Sequence, residues 1–146
     1  MRFVYQFQAL LNWKKNLEEL SQLRLADLLK NLKAQEEEIQ RLKERRSAYD
    51  REIKEKSAKG LRAGEALTYQ QYFDASYQDL LLREGRKQVT LREIGLEREK
   101  LIHLTKQRKI LEKLQEKRFK KFVYQVEQAE QKNNDERALW QYQPPK

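Results

Sequence analysis

The sequence predicts an all-α protein, an antiparallel two-helix coiled-coil hairpin. Three observations carry that expectation: where the helix breakers fall, where apolar residues recur, and how the chain divides its surface between charge and hydrocarbon. Hydrophobic and charged residues each make up 38% of the 146 residues. That is too polar for a compact globule and too regularly apolar for a disordered chain, which leaves a long helix or coiled coil rich in Ala, Glu, Lys, Leu and Arg. Such a protein buries a seam, leaves most of its surface wet, and offers little of the concave volume that small-molecule chemistry requires.

The breakers set the element boundaries. Both prolines, Pro144 and Pro145, stand at the C-terminal end, so none of the preceding chain carries the cost of about 3 kcal/mol that proline imposes inside a helix. Gly60 and Gly64 fall four apart and form the one strong interruption before that tail. Gly60 suits a left-handed C-terminal cap, and Lys54, Lys56 and Lys59 place positive charge where the helix dipole favours it. Thr68 and Gln71 have the spacing of a capping box, with Leu67 and Tyr72 placed as a hydrophobic staple. The expectation is one domain over residues 1–146: a first helix over about 6–58, a turn over about 59–67, a second helix over about 68–140 that outruns the first, and a disordered tail over 141–146. The competing architecture, one continuous helix pairing with a second chain, must carry Gly60 and Gly64 at about 1 kcal/mol each.

Apolar spacing supports both helices. Leu25, Leu28, Leu32, Ile39, Leu42, Tyr49 and Ile53 fall at a and d positions, with Gln35 and Arg46 interrupting. Upstream, Leu10, Trp13, Leu17 and Leu20 alternate by three and four but one residue out of phase, which predicts a shift of the seam between Ser21 and Arg24. In the second helix Phe73, Leu80, Ile94, Leu101, Leu104, Leu111 and Phe122 share one register, interrupted by Lys87, Thr90, Glu97 and Arg108. With the turn centred near Ala63, Leu32 faces Ile94, Leu25 faces Leu101, Ile53 faces Phe73 and Phe7 faces Phe119.

Function by chemistry at a pocket is not expected. There is no cysteine and one histidine, His103, too few nitrogen or sulfur ligands for a zinc site. Neither Gly60 nor Gly64 belongs to a phosphate-cradling loop. No catalytic residue, metal or cofactor is expected. No apolar run approaches a membrane span, and the N-terminus lacks the apolar core of a secretory signal, so a cytoplasmic protein is expected.

Binding is the better reading. The net charge is +9, and Lys100–Lys121 holds nine Lys or Arg against Glu112 and Glu116. Such a stretch is either a solvated helix face or a docking surface for an acidic protein, anionic lipid or nucleic acid. Two aromatic groups add to it. Tyr49, Tyr69, Tyr72, Phe73 and Tyr77 gather near the turn, with Tyr72 on the flank of the seam. At the open end the hairpin brings Phe3, Tyr5 and Phe7 beside Phe119, Phe122 and Tyr124, within reach of Lys117, Arg118, Lys120 and Lys121. Aromatic and Arg side chains together are what protein docking sites favour. Nucleic-acid binding is a weaker alternative, because Leu101, Leu104 and Leu111 commit the basic helix to a partner helix. A structural homodimeric linker is a third reading, against which the short chain and the turn both speak.

The sequence resembles the FliJ family, the coiled-coil component of the bacterial flagellar type III export apparatus, over nearly its whole length. The marks are Phe3, Phe7 and Leu10 at the start, Tyr49 late in the first helix, Tyr69-Gln70-Gln71-Tyr72 after the turn, and the basic run Glu116-Lys117-Arg118-Phe119-Lys120-Lys121. The resemblance implies a non-enzymatic stalk of flagellar biogenesis and motility. Such a stalk docks into the hexameric export ATPase and promotes its assembly, contacts the cytoplasmic domain of the membrane export gate, and holds free export chaperones for recycling. It implies no specific nucleic acid and a place at the cytoplasmic face of the inner membrane, associated only peripherally through partners. It assigns the gate contact to Leu42, Tyr49 and Tyr72, the last with Tyr where the family has Phe. The ATPase-docking tip would be Phe3, Phe7, Arg118, Phe119, Lys120, Lys121 and Phe122. Glu38, Arg45 and Ser76 depart from the Gln, Tyr and Leu that the family surface favours.

Overall fold

The structure, a computed structural model, describes residues 2–142; the expected tail beyond them, with Pro144 and Pro145, lies outside the described residues. Two helices, α1 (Gln8–Lys59) and α2 (Ala63–Gln141), account for 93% of the described residues, and no strand occurs among them. The fold is the all-α antiparallel helical hairpin that the breakers and the heptads predict.

α1 begins without a capping side chain or an acidic first turn. Its first bonds run from the Gln8 amide to the Tyr5 carbonyl and from the Leu11 amide to the Phe7 carbonyl. The Tyr5 ring is buried, and its hydroxyl donates to the Leu111 carbonyl at 2.8 Å, so tertiary anchoring of the N-terminal segment replaces a cap. α1 ends at Gly60, whose φ of 97° is the left-handed conformation expected of it, with Lys56 and Lys59 in the last turn.

The restart differs from the expectation. α2 begins at Ala63, so only Gly60, Leu61 and Arg62 separate the helices. Thr68 lies inside the helix and its hydroxyl donates back to the Gly64 carbonyl at 3.0 Å, so no capping box forms there. Leu67 is exposed, so the staple is absent as well. The reason is that Gly64 keeps ordinary helical geometry, which glycine tolerates at about 1 kcal/mol, and Glu65 in the first turn favours the dipole. The shorter turn also moves the pairing: Phe73 meets Tyr49 and Phe119 meets Phe3, one helical turn short of the expected Ile53 and Phe7.

The chain forms two compact units, one from residues up to Leu20 with those from Leu101 on, the other from Ser21–Lys100. In the Ser21–Lys100 unit the core is Ile39, Leu42 and Ile94, bracketed by half-buried Leu25, Leu28, Leu32, Phe73 and Leu80. Its fully buried polar residues have partners, whereas at the half-buried seam positions Gln35 Oε1 and Arg46 Nε have none. Ser21 donates to Glu97 at 2.7 Å, while Ser76 and Thr90 donate to carbonyls of their own helix. Arg83–Glu38, Lys43–Glu84 and Lys87–Glu36 tie the helices along the exposed edges; each pair at such an edge is worth under about 1 kcal/mol.

In the other unit Leu11, 1% exposed, and Leu104 form the apolar core, together with Tyr5. Here the expected phase shift does not occur. Lys14 and Glu18 take the seam positions, while Leu10, Trp13 and Leu20 lie outside it, exposed. Glu18 can occupy a seam because its charge is answered: it accepts from the Arg108 guanidinium and from the Thr105 hydroxyl, the latter at 3.0 Å. Arg108 also donates to Glu112 at 2.9 Å. The guanidinium bond is the main cause that holds the Glu18 carboxyl below its ordinary value, against the opposing effect of burial.

Candidate docking surfaces

Near the turn, heptad spacing in α1 and the start of α2 bring four aromatic rings together. Tyr49 stacks on Tyr72 with centroids 4.1 Å apart and planes at 28°, and meets Tyr69 and Phe73 edge-on. All four rings are half-buried, so the cluster closes the end of the seam and also shows aromatic faces to solvent. Lys56 donates to the Tyr69 hydroxyl at 2.7 Å and lies 5.4 Å from its ring. That bond, with Glu52 beside it, holds the Lys56 ammonium above its ordinary value. Arg46 adds a cation over Tyr77, at 5.6 Å.

Leu42, expected beside Tyr49 and Tyr72 as a contact residue, is 5% exposed. Tyr49 and Tyr72 are half-buried and show part of their rings to solvent, whereas Leu42 lies within the seam. Among the departures from the family pattern, Glu38 is engaged with Arg83, and Ser76 is buried against its own helix.

At the open end Phe3 packs edge-on against Phe119 at 5.3 Å and tilted against Phe122 at 5.5 Å. Arg118 lies 5.0 Å over the Phe7 ring and donates to Gln6 at 3.1 Å. Phe119 remains about half exposed. Lys120 and Lys121 are exposed, and Lys120 forms an exposed i,i+4 pair with Glu116. The seven residues expected here thus fall in one unit, near the start of α1, with α2 running on beyond them to Gln141. The chemistry available is a hydrocarbon surface with cations beside it, suited to an apolar pocket with an acidic margin.

Sequence reasoning missed two supports of this surface. Tyr5 was expected as one more tip aromatic and is instead the buried anchor of the N-terminal segment. Gln6, which positions Arg118, carries no pattern that could have singled it out. His103 is exposed with its Nε2 2.9 Å from the Gln107 amide nitrogen. Among the described residues no group of three or more His, Cys, Asp or Glu is placed to hold a metal, and no helix is long and apolar enough to cross a membrane.

Compared with known proteins, the chain matches the family described as Flagellar FliJ protein over residues 3–146. No curated protein and no solved structure matches it.

Proposed function

The chain belongs to the FliJ family of non-catalytic flagellar export components, and we propose that within that apparatus it is the stalk of the hexameric export ATPase. In this reading the open end docks into the ATPase and promotes its assembly and turnover. The Tyr49–Tyr72 surface contacts the cytoplasmic domain of the membrane export gate, and the rod holds free export chaperones. The protein then resides at the cytoplasmic face of the inner membrane through its partners, with no cofactor and no reaction of its own.

The observation that carries the reading is the pairing of Phe3, Phe119 and Phe122 with Arg118, Lys120 and Lys121 at one end. Rings supply area to bury, while exposed lysines mainly raise the encounter rate and answer to salt. A duplex surface draws on the cations alone and its affinity falls steeply with salt, so loss of function on removing Phe119 at physiological salt separates the two readings. The test is ATP hydrolysis by the hexameric export ATPase with and without this protein at physiological salt. Stimulation is expected, with Phe119→Ala and the Lys120→Glu/Lys121→Glu pair each reducing it several-fold. Tight DNA binding by mobility shift, with no effect on the ATPase, would reverse the reading. At the other surface Tyr72→Ala should leave far-UV helicity nearly unchanged and weaken binding to the export gate's cytoplasmic domain by about tenfold, the loss of one buried aromatic anchor. Unfolding without loss of gate binding would count against that assignment.

A further inference from the structure

The apolar residues that break phase in the sequence lie outside the intramolecular seam, with the Lys14 ammonium 4.9 Å over the Trp13 ring. Leu10, Trp13, Leu17 and Leu20 keep a three–four–three spacing of their own, beside the seam rather than in it. Trp13 is 55% exposed, Leu10 and Leu20 are exposed, and Leu17 is half-buried. The Lys15–Glu112 pair marks one flank of the helix pair in this unit. Heptad geometry places Leu10 and Leu17 on the opposite flank, and on α2 it places Leu114 and Ile110 on that same flank. Leu114 is half-buried and Ile110 is 65% exposed.

The helix pair itself does not require hydrocarbon at these positions. In the Ser21–Lys100 unit the heptad equivalents of Leu17, Leu20 and Gln107 are Arg24, Asp27 and Glu93, which line an open groove with Leu28, Leu96 and Glu97. Charged residues therefore serve there at the equivalents of Leu17 and Leu20, with Leu96 alone keeping hydrocarbon at the equivalent of Ile110, whereas the Leu10–Leu20 flank is apolar at a spacing that matches a coiled-coil seam. Its border is cationic. Lys106 and Lys113 are the helical neighbours of Ile110, Lys117 lies one heptad on, and all three are exposed. The acids beside these lysines are engaged elsewhere, Glu112 with Arg108 and Lys15 and Glu116 with Lys120. A second copy of the chain would bring these lysines against their own like in a protein of net charge +9. An acidic helix answers both the hydrocarbon and the charge.

We propose that this flank, Leu10, Trp13, Leu17 and Leu20 with Ile110 and Leu114, is the seat of a third helix. That helix is amphipathic, belongs to a partner protein, and carries carboxylates along the edge that meets Lys106, Lys113 and Lys117. The inference does not rest on the stalk reading, since Phe119 lies on the opposite flank of α2.

Trp13 reports on the site. The chain has two tryptophans, so Trp140→Phe leaves Trp13 as the sole emitter. The probes are two synthetic three-heptad helices with leucine at a and d, one with a glutamate edge and one with a lysine edge. The glutamate peptide should give a saturable blue shift of Trp13 emission, with affinity at least about tenfold above the lysine peptide at low salt. Leu20→Glu and Ile110→Glu alter exposed positions, so far-UV helicity should persist while the blue shift disappears. Phe119→Ala should change peptide affinity by less than about twofold, which separates this surface from the tip. No shift with either peptide, equal affinity for both, or a blue shift that tracks dimer mass without peptide would each overturn the proposal.

Discussion

Glu18 is a carboxylate, 8% exposed, at a seam position, and it belongs there only while Arg108 and Thr105 hold it. Its folded-state value lies below the ordinary 4.5. The stabilisation it contributes is therefore fully present above that ordinary value and is lost as pH falls through the lower folded value. Glu18→Gln should destabilise the protein by roughly 1–2 kcal/mol at neutral pH, because Arg108 keeps Glu112 as a partner. The difference between parent and variant should shrink as the pH drops below the ordinary value. Urea midpoints measured across that range check it; a difference that is constant with pH would show that the carboxylate charge is irrelevant. Glu18 and Ser21 also explain why the N-terminal seam was illegible. Hydrophobic period finds the apolar residues of a helix, and here those residues lie beside the seam. What makes the polar pair acceptable is a set of partners about ninety and seventy-six residues away, which no local pattern reveals.

At the level of the element, the turn gives two glycines opposite roles. Gly60 holds φ at 97°, where a side chain is strained although nothing crowds it, while Gly64 sits in ordinary helix with open space around its α-carbon. Gly60→Ala should cost about 1 kcal/mol and Gly64→Ala should stabilise by up to about 1 kcal/mol, read as opposite shifts of the urea midpoint. Thr68→Ala tests the helix start. A capping threonine would cost about 1 kcal/mol on removal, whereas one bonded back to Gly64 should be nearly neutral. The stop at Gly60 was legible because a left-handed cap has one favoured residue. The restart was not, because the pattern at Thr68 is sound in itself and was outcompeted by a helix that could begin five residues earlier. The same displacement moved the facing pairs by one turn, yet Tyr49 still meets Tyr72 and Phe119 still meets the N-terminal phenylalanines. Aromatic clusters tolerate such a slip because rings reach several ångströms. Leu42 separates two readings: heptad spacing set it in the seam, where it is buried, while the resemblance alone counted it among the gate contacts.

For the whole molecule, the hairpin pairs the apolar positions of its seam within one chain, and the net charge of +9 opposes association of copies. Light scattering at low salt should therefore give a mass near the monomer's 17.8 kDa; a dimer mass at every concentration would contradict it. One part of α2 draws nothing from that seam. From Glu127 to Gln141 every residue is exposed. An isolated helix of about this length is marginal in water, so its order depends on the helix–coil balance of its own sequence and not on burial. Turns can unwind backwards from Gln141 at small cost, each drawing the helical end in by about 5.4 Å. A receptor that grips this end thus meets slack that can be taken up in whole turns. The distance between what the tip rests on and what the last turn touches then need not be fixed in advance.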